Sequence, residues 1–169
     1  MPIPPTNLTI ATTGASGAIF LRQLLLLVDR DKRIQNINFI ASDSALRVMA
    51  EELDLRGRNN LAAQLLGRRP SPKIHSQANA DIGANVASGS YPADAMIVLP
   101  CSVGTLARIA NGIASHLIER AADAGATIFP LIPAYYFRPA TLDQMAHEFA
   151  CRVLAHIGLP QSGAYRWKG

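Results

Sequence analysis

Four short apolar runs alternate with amphipathic helical patterns, and this alternation restricts the fold of the chain more than any other feature. The apolar runs occupy residues 7–13, 37–42, 94–100 and 126–133. Helical patterns occupy residues 17–30, 43–55, 102–113, 115–123 and 141–158, and a short helix at 59–67 precedes a long loop that extends to residue 92. Apolar strands that alternate with helices are typical of a parallel sheet covered on both faces. The pattern therefore predicts an α/β fold.

Length and composition narrow the class of protein further. The 169 residues suit one domain, so we assign residues 1–169 to a single domain with a C-terminal tail from about 159. Hydrophobic residues make up 49% of the chain, which argues against global disorder, and no apolar run reaches the roughly eighteen residues of a membrane span. The formal charge of +4 is scattered, which disfavours nucleic acid as a partner. Two cysteines and no recognisable leader segment lead us to expect a cytoplasmic location.

Small and hydroxylated residues follow three of the four predicted strands. Gly14, Ala15 and Ser16 follow the first strand, Ser42 follows the second, and residues 102–105 follow the third. Ligands of parallel sheets bind beyond the carboxyl ends of the strands, and helix N-termini with free N–H groups bind phosphate. A single serine at such a place is most often an ordinary helix cap. Three hydroxylated loops at one edge favour a phosphate site.

The loops match neither of the two common nucleotide motifs. The chain has no G-x-x-x-x-G-K-[ST] sequence, and the glycine spacing at 14–17 differs from G-x-G-x-x-G. A mononucleotide therefore remains, and flavin mononucleotide (FMN) is the natural candidate for serine-lined loops.

Several of these stretches also carry a resemblance to a known family. The stretches are TGASGAIF (13–20), the segment 87–123 around PCSVGTLARIANGI, AGATIFPLIPAYYFRP (124–139) and RVLAHIGLPQ (152–161). They resemble the UbiX-type flavin prenyltransferases. The resemblance implies a Rossmann-like (flavodoxin-like) three-layer sandwich with a mostly parallel sheet. It also implies metal-independent transfer of a dimethylallyl group from dimethylallyl phosphate to reduced FMN. The product would be prenylated FMN, the cofactor of a UbiD-type decarboxylase, and the enzyme would assemble as a homododecamer.

The resemblance further assigns site residues. The FMN-binding set that it implies consists of Gly14, Ala15, Ser16, Ser42, Ser102, Val103, Gly104, Thr105 and Arg120. Ser16, Tyr136 and Arg152 are implied as catalytic, and the last two would hold dimethylallyl phosphate. Trp167 would approach the substrate from a neighbouring subunit. Because the flavin supplies its own nucleophilic atoms, no nucleophilic side chain is expected.

Simpler roles compete with some of these assignments. An arginine on a helix, such as Arg152, is most often solvated or salt-bridged, and Tyr136 before a proline-containing turn is most often a half-buried anchor. Cys101 is expected to be a small core residue. The four histidines lack metal-ligand spacing, so no metal is expected.

The chain departs from the resembling family after residue 123. There the family continues with a basic segment, a strand and a helix, whereas RAAD (120–123) runs directly into AGATIFP (124–130). The absent part carries a lysine, an arginine and a glutamate that act on the prenyl phosphate and the flavin. A flavin-stacking tryptophan of some members is replaced by Ile82. Either the natural protein has this segment and the present sequence lacks it, or the protein is a shortened form.

The absent segment leaves alternative functions open. One is an FMN-binding flavoprotein without prenyl transfer, such as a flavin carrier, and another is an FMN-dependent decarboxylase of the same superfamily. In each case we expect an oligomer, because LLLLV (24–28) and the tail GAYRWKG (163–169) would expose apolar groups on a single domain.

Overall fold

The computed structural model describes residues 4–122 and 132–165 of the chain. Its strands are β1 (Asn7–Thr12), β2 (Asn36–Ala41), β3 (Ile74–Ala78) and β4 (Ala95–Val98). Its helices are α1 (Ala18–Arg30), α2 (Asp43–Leu53), α3 (Leu61–Leu66), α4 (Val103–Ala110), α5 (Leu117–Ala121) and α6 (Leu142–His156). A single 3-10 turn spans Asn85–Ala87.

The four strands of the described residues form one parallel sheet with the order β3-β2-β1-β4. β1 lies between β2 and β4, and Ile10 pairs with Phe39 on one side and with Ile97 on the other. β1 and β2 are buried along nearly their whole length, as expected for strands covered on both faces. The predicted α/β class with a parallel sheet is therefore confirmed, and the carboxyl ends of all four strands meet at one edge.

Alternate residues of the central strands pack into two separate cores. Ile10 and Phe39 belong to the larger core, which α1 and α6 cover, and the rings of Phe20 and Phe149 meet edge to face at 5.4 Å. Ala11 and Ile40 point to the opposite face and pack in a smaller core under α5. Each large apolar side chain buried in these cores stabilises the fold by about 1.5–3 kcal/mol.

The run LLLLV does not expose the apolar groups that the sequence analysis assigned to it. Leu24, Leu25 and Val28 are fully buried in the larger core, because α1 is covered by the sheet and by α2, α3 and α6. This run therefore gives no support to the predicted oligomer.

The segment 74–78 was predicted as loop and is instead strand β3. It pairs with β2 alone among the described strands, and His75 and Ser76 are exposed. A strand at the end of a sheet with one solvated face does not need the continuous apolar run that reveals β1 and β2. The predicted strand at 126–133 and the junction between Asp123 and Ala124 lie almost wholly outside the described residues.

Two carboxylates at the C-terminal end of α1 hold distant loops. The buried Asp29 carboxylate accepts hydrogen bonds from Ser71 N at 3.0 Å and Ser71 Oγ at 2.6 Å, and it pairs with Arg68. Asp31 pairs with Arg33 at 2.6 Å and accepts a hydrogen bond from Gln161 Nε2 at 3.1 Å. The first carboxylate fixes the chain entering β3, and the second fixes the segment that follows α6.

Within the described ranges, every helix is too short or too polar to cross a membrane.

Candidate functional site

A cavity of about 510 Å³ opens at the carboxyl edge of the sheet. Its lining comes from residues at or just after the carboxyl ends of the four strands, from α2, α4 and α5, and from the loop between α2 and α3. The lining residues are Thr13, Ser42, Asp43, Ser44, Arg58, Ala78, Asn79, Ala80, Ser102, Thr105, Arg108, His116, Ile118 and Glu119. This volume is within the range of cofactor and small-molecule sites.

Ser42 and Ser102 are the N-caps of the two helices that begin at the cavity. The Ser42 hydroxyl accepts a hydrogen bond from Ala45 N at 3.1 Å, and the Ser102 hydroxyl accepts one from Thr105 N at 3.3 Å. The N–H groups at residues 43, 44, 103 and 104 donate to no acceptor within the described part of the chain. Helix termini with such free donors attract anions. The two serines are therefore helix caps and, at the same time, part of an anion-attracting cavity wall.

Thr13 joins the loop after β1 to the loop after β4. Its backbone N–H and its hydroxyl both donate to the carbonyl oxygen of Pro100, at 3.1 and 3.2 Å. Its hydroxyl oxygen in turn accepts a hydrogen bond from Ser102 N at 2.6 Å. Both strand ends are thus held in place by a single buried residue.

Gly14 allows the β1–α1 loop to approach α2 closely. A Cβ atom at this position would lie 2.5 Å from Ser44 Cβ and 2.6 Å from Ser44 Oγ. Ser44 Oγ also lies 3.0 Å from Ser42 Oγ. The glycine is therefore needed for space, and it keeps the first loop against the serine pair.

The N-terminus of α1 is occupied by the Glu52 carboxylate from α2. This carboxylate accepts hydrogen bonds from Ser16 Oγ at 2.6 Å, from Gly17 N at 3.0 Å and from Ala18 N at 2.7 Å. Burial tends to raise the pKa of Glu52, but the hydrogen bonds from Ser16, Ala18 and Gly17 outweigh it and lower the pKa below its usual value. The donors that we expected to be free at this helix are thus taken by an anionic side chain.

An ion pair between α4 and α5 forms part of the cavity wall. Glu119 has a side chain only 3% exposed, and it accepts a hydrogen bond from Arg108 Nε at 2.8 Å and from His116 N at 2.8 Å. Arg108 Nη2 also donates to Thr105 Oγ1 at 3.1 Å. Asn79, just after β3, anchors α5 by accepting hydrogen bonds from Leu117 N at 2.9 Å and Ile118 N at 3.2 Å.

A second arginine reaches the cavity from the loop between α2 and α3. Arg58 Nη1 donates to the carbonyl oxygen of Ala41 at 3.3 Å, and Arg58 Nη2 pairs with the Asp43 carboxylate. The Asp43 side chain is 92% exposed and that of Arg58 is 44% exposed.

Three of the predicted FMN-binding residues line the cavity, namely Ser42, Ser102 and Thr105. Gly14, Ala15 and Ser16 lie in the adjoining loop, and Val103 and Gly104 begin α4 with exposed positions. Arg120 is exposed on α5 and is not among the lining residues.

The residues predicted to hold the prenyl phosphate lie away from the lining of this cavity. Tyr136 is 57% exposed, and its ring packs against Phe137 and Tyr165 at centroid distances of 6.5 and 5.7 Å. Arg152 is exposed on α6, and its Nη1 donates to the carbonyl oxygen of Ile132 at 3.2 Å. Trp167 lies outside the described residues.

Sequence reasoning did not find Glu52, Arg58, Arg108 or Glu119. Arg108 and Glu119 lie within helices, and their pairing depends on the angle between α4 and α5. The spacing of Glu52 from Ser16 gives no signal either. The residues of the first and second predicted loops could be found because they directly follow apolar runs.

Comparison with known proteins agrees with this geometry. The Flavoprotein family model matches residues 2–150. A flavin prenyltransferase UbiX of Pseudomonas aeruginosa is 30% identical, with 96% of this chain and 94% of the relative covered. The chain belongs to the UbiX-type flavoproteins. Its alignment with the Pseudomonas relative spans 201 positions, more than the 169 residues of this chain, so this UbiX-type chain lacks residues that the relative has.

Two solved UbiX-type structures have the same fold. AnUbiX (PadA1), crystallised in complex with FMN and dimethylallyl pyrophosphate, is 28% identical with a TM-score of 0.81, and the match covers 96% of this chain and 97% of that one. A dodecameric FMN-dependent UbiX-like decarboxylase from Escherichia coli O157:H7 is 29% identical with a TM-score of 0.80, covering 96% of this chain and 100% of that one.

Proposed function

We propose that this protein is a flavin prenyltransferase. It binds reduced FMN and transfers to it the dimethylallyl group of dimethylallyl phosphate, releasing phosphate and prenylated FMN. The observation that carries the proposal is the cavity at the sheet edge. There the capping hydroxyls of Ser42 and Ser102, with free amides at α2 and α4, offer a phosphate-binding wall in a chain of this family.

The residues of the cavity suit an FMN ligand. Serine and threonine hydroxyls and main-chain amides are donors for a phosphate and for the hydroxylated chain next to it. In the proposed site, Ser42 contacts the flavin phosphate, and Ser102, Val103, Gly104 and Thr105 contact the rest of the flavin. The flavin supplies the nucleophilic atoms, so the protein has to position the two substrates and stabilise the departing phosphate.

Ser16, Tyr136 and Arg152 are the proposed contacts of dimethylallyl phosphate, with Arg120 beside the flavin and Trp167 supplied by a neighbouring subunit. A hydroxyl, a phenol and a guanidinium can each donate to the leaving phosphate as its charge grows. Glu52 takes a positioning role, because its carboxylate holds the Ser16 hydroxyl at 2.6 Å.

The proposed assembly is a homo-oligomer, a dodecamer as in the Escherichia coli structure, with sites shared between subunits. The proposed recipient of prenylated FMN is a UbiD-type decarboxylase, and the proposed location is the cytoplasm.

A second candidate function is flavin binding without prenyl transfer. It is favoured by the residues that this chain lacks relative to the Pseudomonas protein. If these include the basic segment expected after residue 123, three polar partners of the leaving phosphate are lost. Each charge-assisted hydrogen bond contributes roughly 1.5–3 kcal/mol, so prenyl transfer would slow by at least about a thousandfold while FMN still bound.

The two candidates are separated by the mass of the flavin. The protein is incubated anaerobically with reduced FMN and dimethylallyl phosphate, and the released flavin is analysed by mass spectrometry. A gain of one prenyl unit supports transfer, whereas bound but unmodified FMN supports the second candidate.

Tyr136→Phe should raise the KM for dimethylallyl phosphate by about tenfold without changing FMN affinity. Tyr135→Phe, at a neighbouring tyrosine that is 68% exposed, is the matched control. Equal effects of the two substitutions would argue against the proposed role of Tyr136.

A further inference from the structure

Arg58 and Arg108 both line the cavity, but their surroundings differ. Arg108 is held by Glu119, whose side chain is 3% exposed, and by the hydroxyl of Thr105. The partner of Arg58 is Asp43, whose side chain is 92% exposed. Water screens the second pair far more than the first. Arg108 is therefore committed to a structural pair, while Arg58 keeps most of its positive charge available to a ligand.

The position of Arg58 is fixed before any ligand arrives. Its Nη1 donates to the carbonyl oxygen of Ala41, the last residue of β2, which directly precedes the helix cap Ser42. Only part of the guanidinium's five N–H donors is used by Ala41 and Asp43. The guanidinium thus lies beside the free amides of the first turn of α2, with donors to spare.

Asp43 places a negative charge at the same point. Its carboxylate belongs to the first turn of α2, where a phosphate next to Ser42 would meet it. Two neighbouring anions repel each other unless a cation lies between them. Arg58 is the cation that contacts Asp43, so a phosphate can enter here only if Arg58 is shared with it or transferred to it.

We propose that Arg58 binds the phosphate monoester of FMN and exchanges its bond to Asp43 for bonds to that phosphate. This inference rests on the proposed FMN site and adds the residue that selects the phosphorylated flavin. A guanidinium matches the paired oxygens of a phosphate group, which makes it a selective contact for FMN over riboflavin. Asp43 then acts as a counter-ion in the ligand-free protein and as a competitor of the ligand.

The test compares FMN with riboflavin, which lacks the phosphate. Flavin fluorescence titration measures the Kd of each for the wild-type protein, Arg58→Ala, Asp43→Asn and Arg56→Ala. Arg56 is the matched control, because it lies in the same loop, is 88% exposed and does not line the cavity. We expect Arg58→Ala to weaken FMN binding about tenfold to a hundredfold and to leave riboflavin binding unchanged. Asp43→Asn should tighten FMN binding severalfold, and Arg56→Ala should change neither Kd.

Each other outcome overturns the inference. Equal FMN affinity of Arg58→Ala and the wild type would remove Arg58 from the site, although FMN binding itself would stand. A parallel loss of FMN and riboflavin binding would mean that Arg58 shapes the cavity without contacting the phosphate. A raised KM for dimethylallyl phosphate with an unchanged FMN Kd would assign Arg58 to the other phosphate. A wild-type protein that binds neither flavin would refute the proposed function and the inference together.

Stability is checked in parallel. The Arg58–Asp43 pair is largely solvated, so both single substitutions should leave the folded state intact, with the midpoint of thermal unfolding changed by no more than a few degrees.

Discussion

Ser16 shows how a single residue can be at the expected place and have an unexpected partner. Its hydroxyl donates to Glu52, and the same carboxylate accepts the N–H groups of Gly17 and Ala18. The N-terminus of α1 therefore carries its own anion. A flavin phosphate is then better accommodated at α2 and α4, where the first two amides of each helix are free within the described residues.

Glu52→Gln should destabilise the protein by about 0.5–1 kcal/mol. The amide keeps an acceptor oxygen, but it loses the charge that the N-terminus of α1 stabilises. Because the pKa of Glu52 is lowered in the folded state, the loss should be complete above the ordinary pKa of a glutamate and should disappear as the pH falls through the lower pKa of the folded state. Urea unfolding at several pH values measures this difference.

Glu51→Gln is the control for this prediction, since Glu51 is exposed on the same helix. An equal change in the free energy of unfolding for the two variants would show that Glu52 has no special role at α1.

The residues of the site that could be predicted are those that follow buried strands. Ser42 and Ser102 come directly after apolar runs, so their position at the sheet edge follows from the parallel topology. Arg58 lies in a loop whose path depends on the packing of α3, and no local pattern directs it to the cavity. Arg108 and Glu119 are eleven positions apart in sequence and meet only because α4 and α5 pack at a particular angle.

Elements of the fold were predictable in proportion to their burial. β1, β2 and β4 are apolar and came close to their expected limits, as did α1 and α6. β3 is polar at His75, Ser76 and Gln77, and it was missed because backbone pairing with β2 rather than side-chain burial holds it in the sheet. The position of β3 also depends on Asp29, which is distant in sequence and fixes the chain just before β3 by accepting hydrogen bonds from Ser71.

Asp31 links three elements, and its titration should be visible in the acid stability of the protein. Its hydrogen bond with Arg33 is the main cause that lowers the pKa of Asp31 to about 2. An Asp with a lowered pKa stabilises the fold above its ordinary value near 3.8, and this contribution is lost as the pH falls towards about 2. Asp31→Asn should therefore cost about 2 kcal/mol near neutral pH and progressively less below about pH 4.

Chemical denaturation at a series of pH values tests this linkage. Asp54→Asn serves as the control, because Asp54 is 90% exposed and has a left-handed backbone that asparagine tolerates. A constant difference between Asp31→Asn and the wild type across this pH range would contradict the assignment.

At the scale of the whole molecule, the exposed apolar side chains on α4 and just after it are relevant to assembly. Thr105 is the only buried residue of α4, whereas Val103 is 83% exposed and Ile113 is 54% exposed. Large apolar side chains exposed in this way are consistent with a contact to another protein chain. The sequence analysis expected an oligomer because the run LLLLV would be exposed, but this run is buried. The exposed apolar side chains on and after α4 give a different physical reason to expect one.

Light scattering should report an oligomer at micromolar concentration. Ile113→Glu should reduce the size of this oligomer, because the substitution places a charge in the apolar contact. A wild-type monomer at that concentration would refute sites shared between subunits and would remove the role proposed for Trp167. An oligomer unaffected by Ile113→Glu would place the interface elsewhere on the molecule.

The bonds of Thr13 also bear on how a cavity of this kind can change in evolution. Thr13 fastens the ends of β1 and β4 through the carbonyl of Pro100 and the N–H of Ser102, both of which are main-chain groups. The outline of the cavity at this point is therefore encoded in the backbone, and substitutions of the surrounding side chains leave it intact. Descendants of such a chain can exchange the side chain at position 58 and acquire a different ligand preference while Thr13 preserves the positions of the strand ends. Substitution of Thr13 itself is more restricted, because the replacement must carry a hydroxyl group that both donates to the Pro100 carbonyl and accepts from the Ser102 N–H.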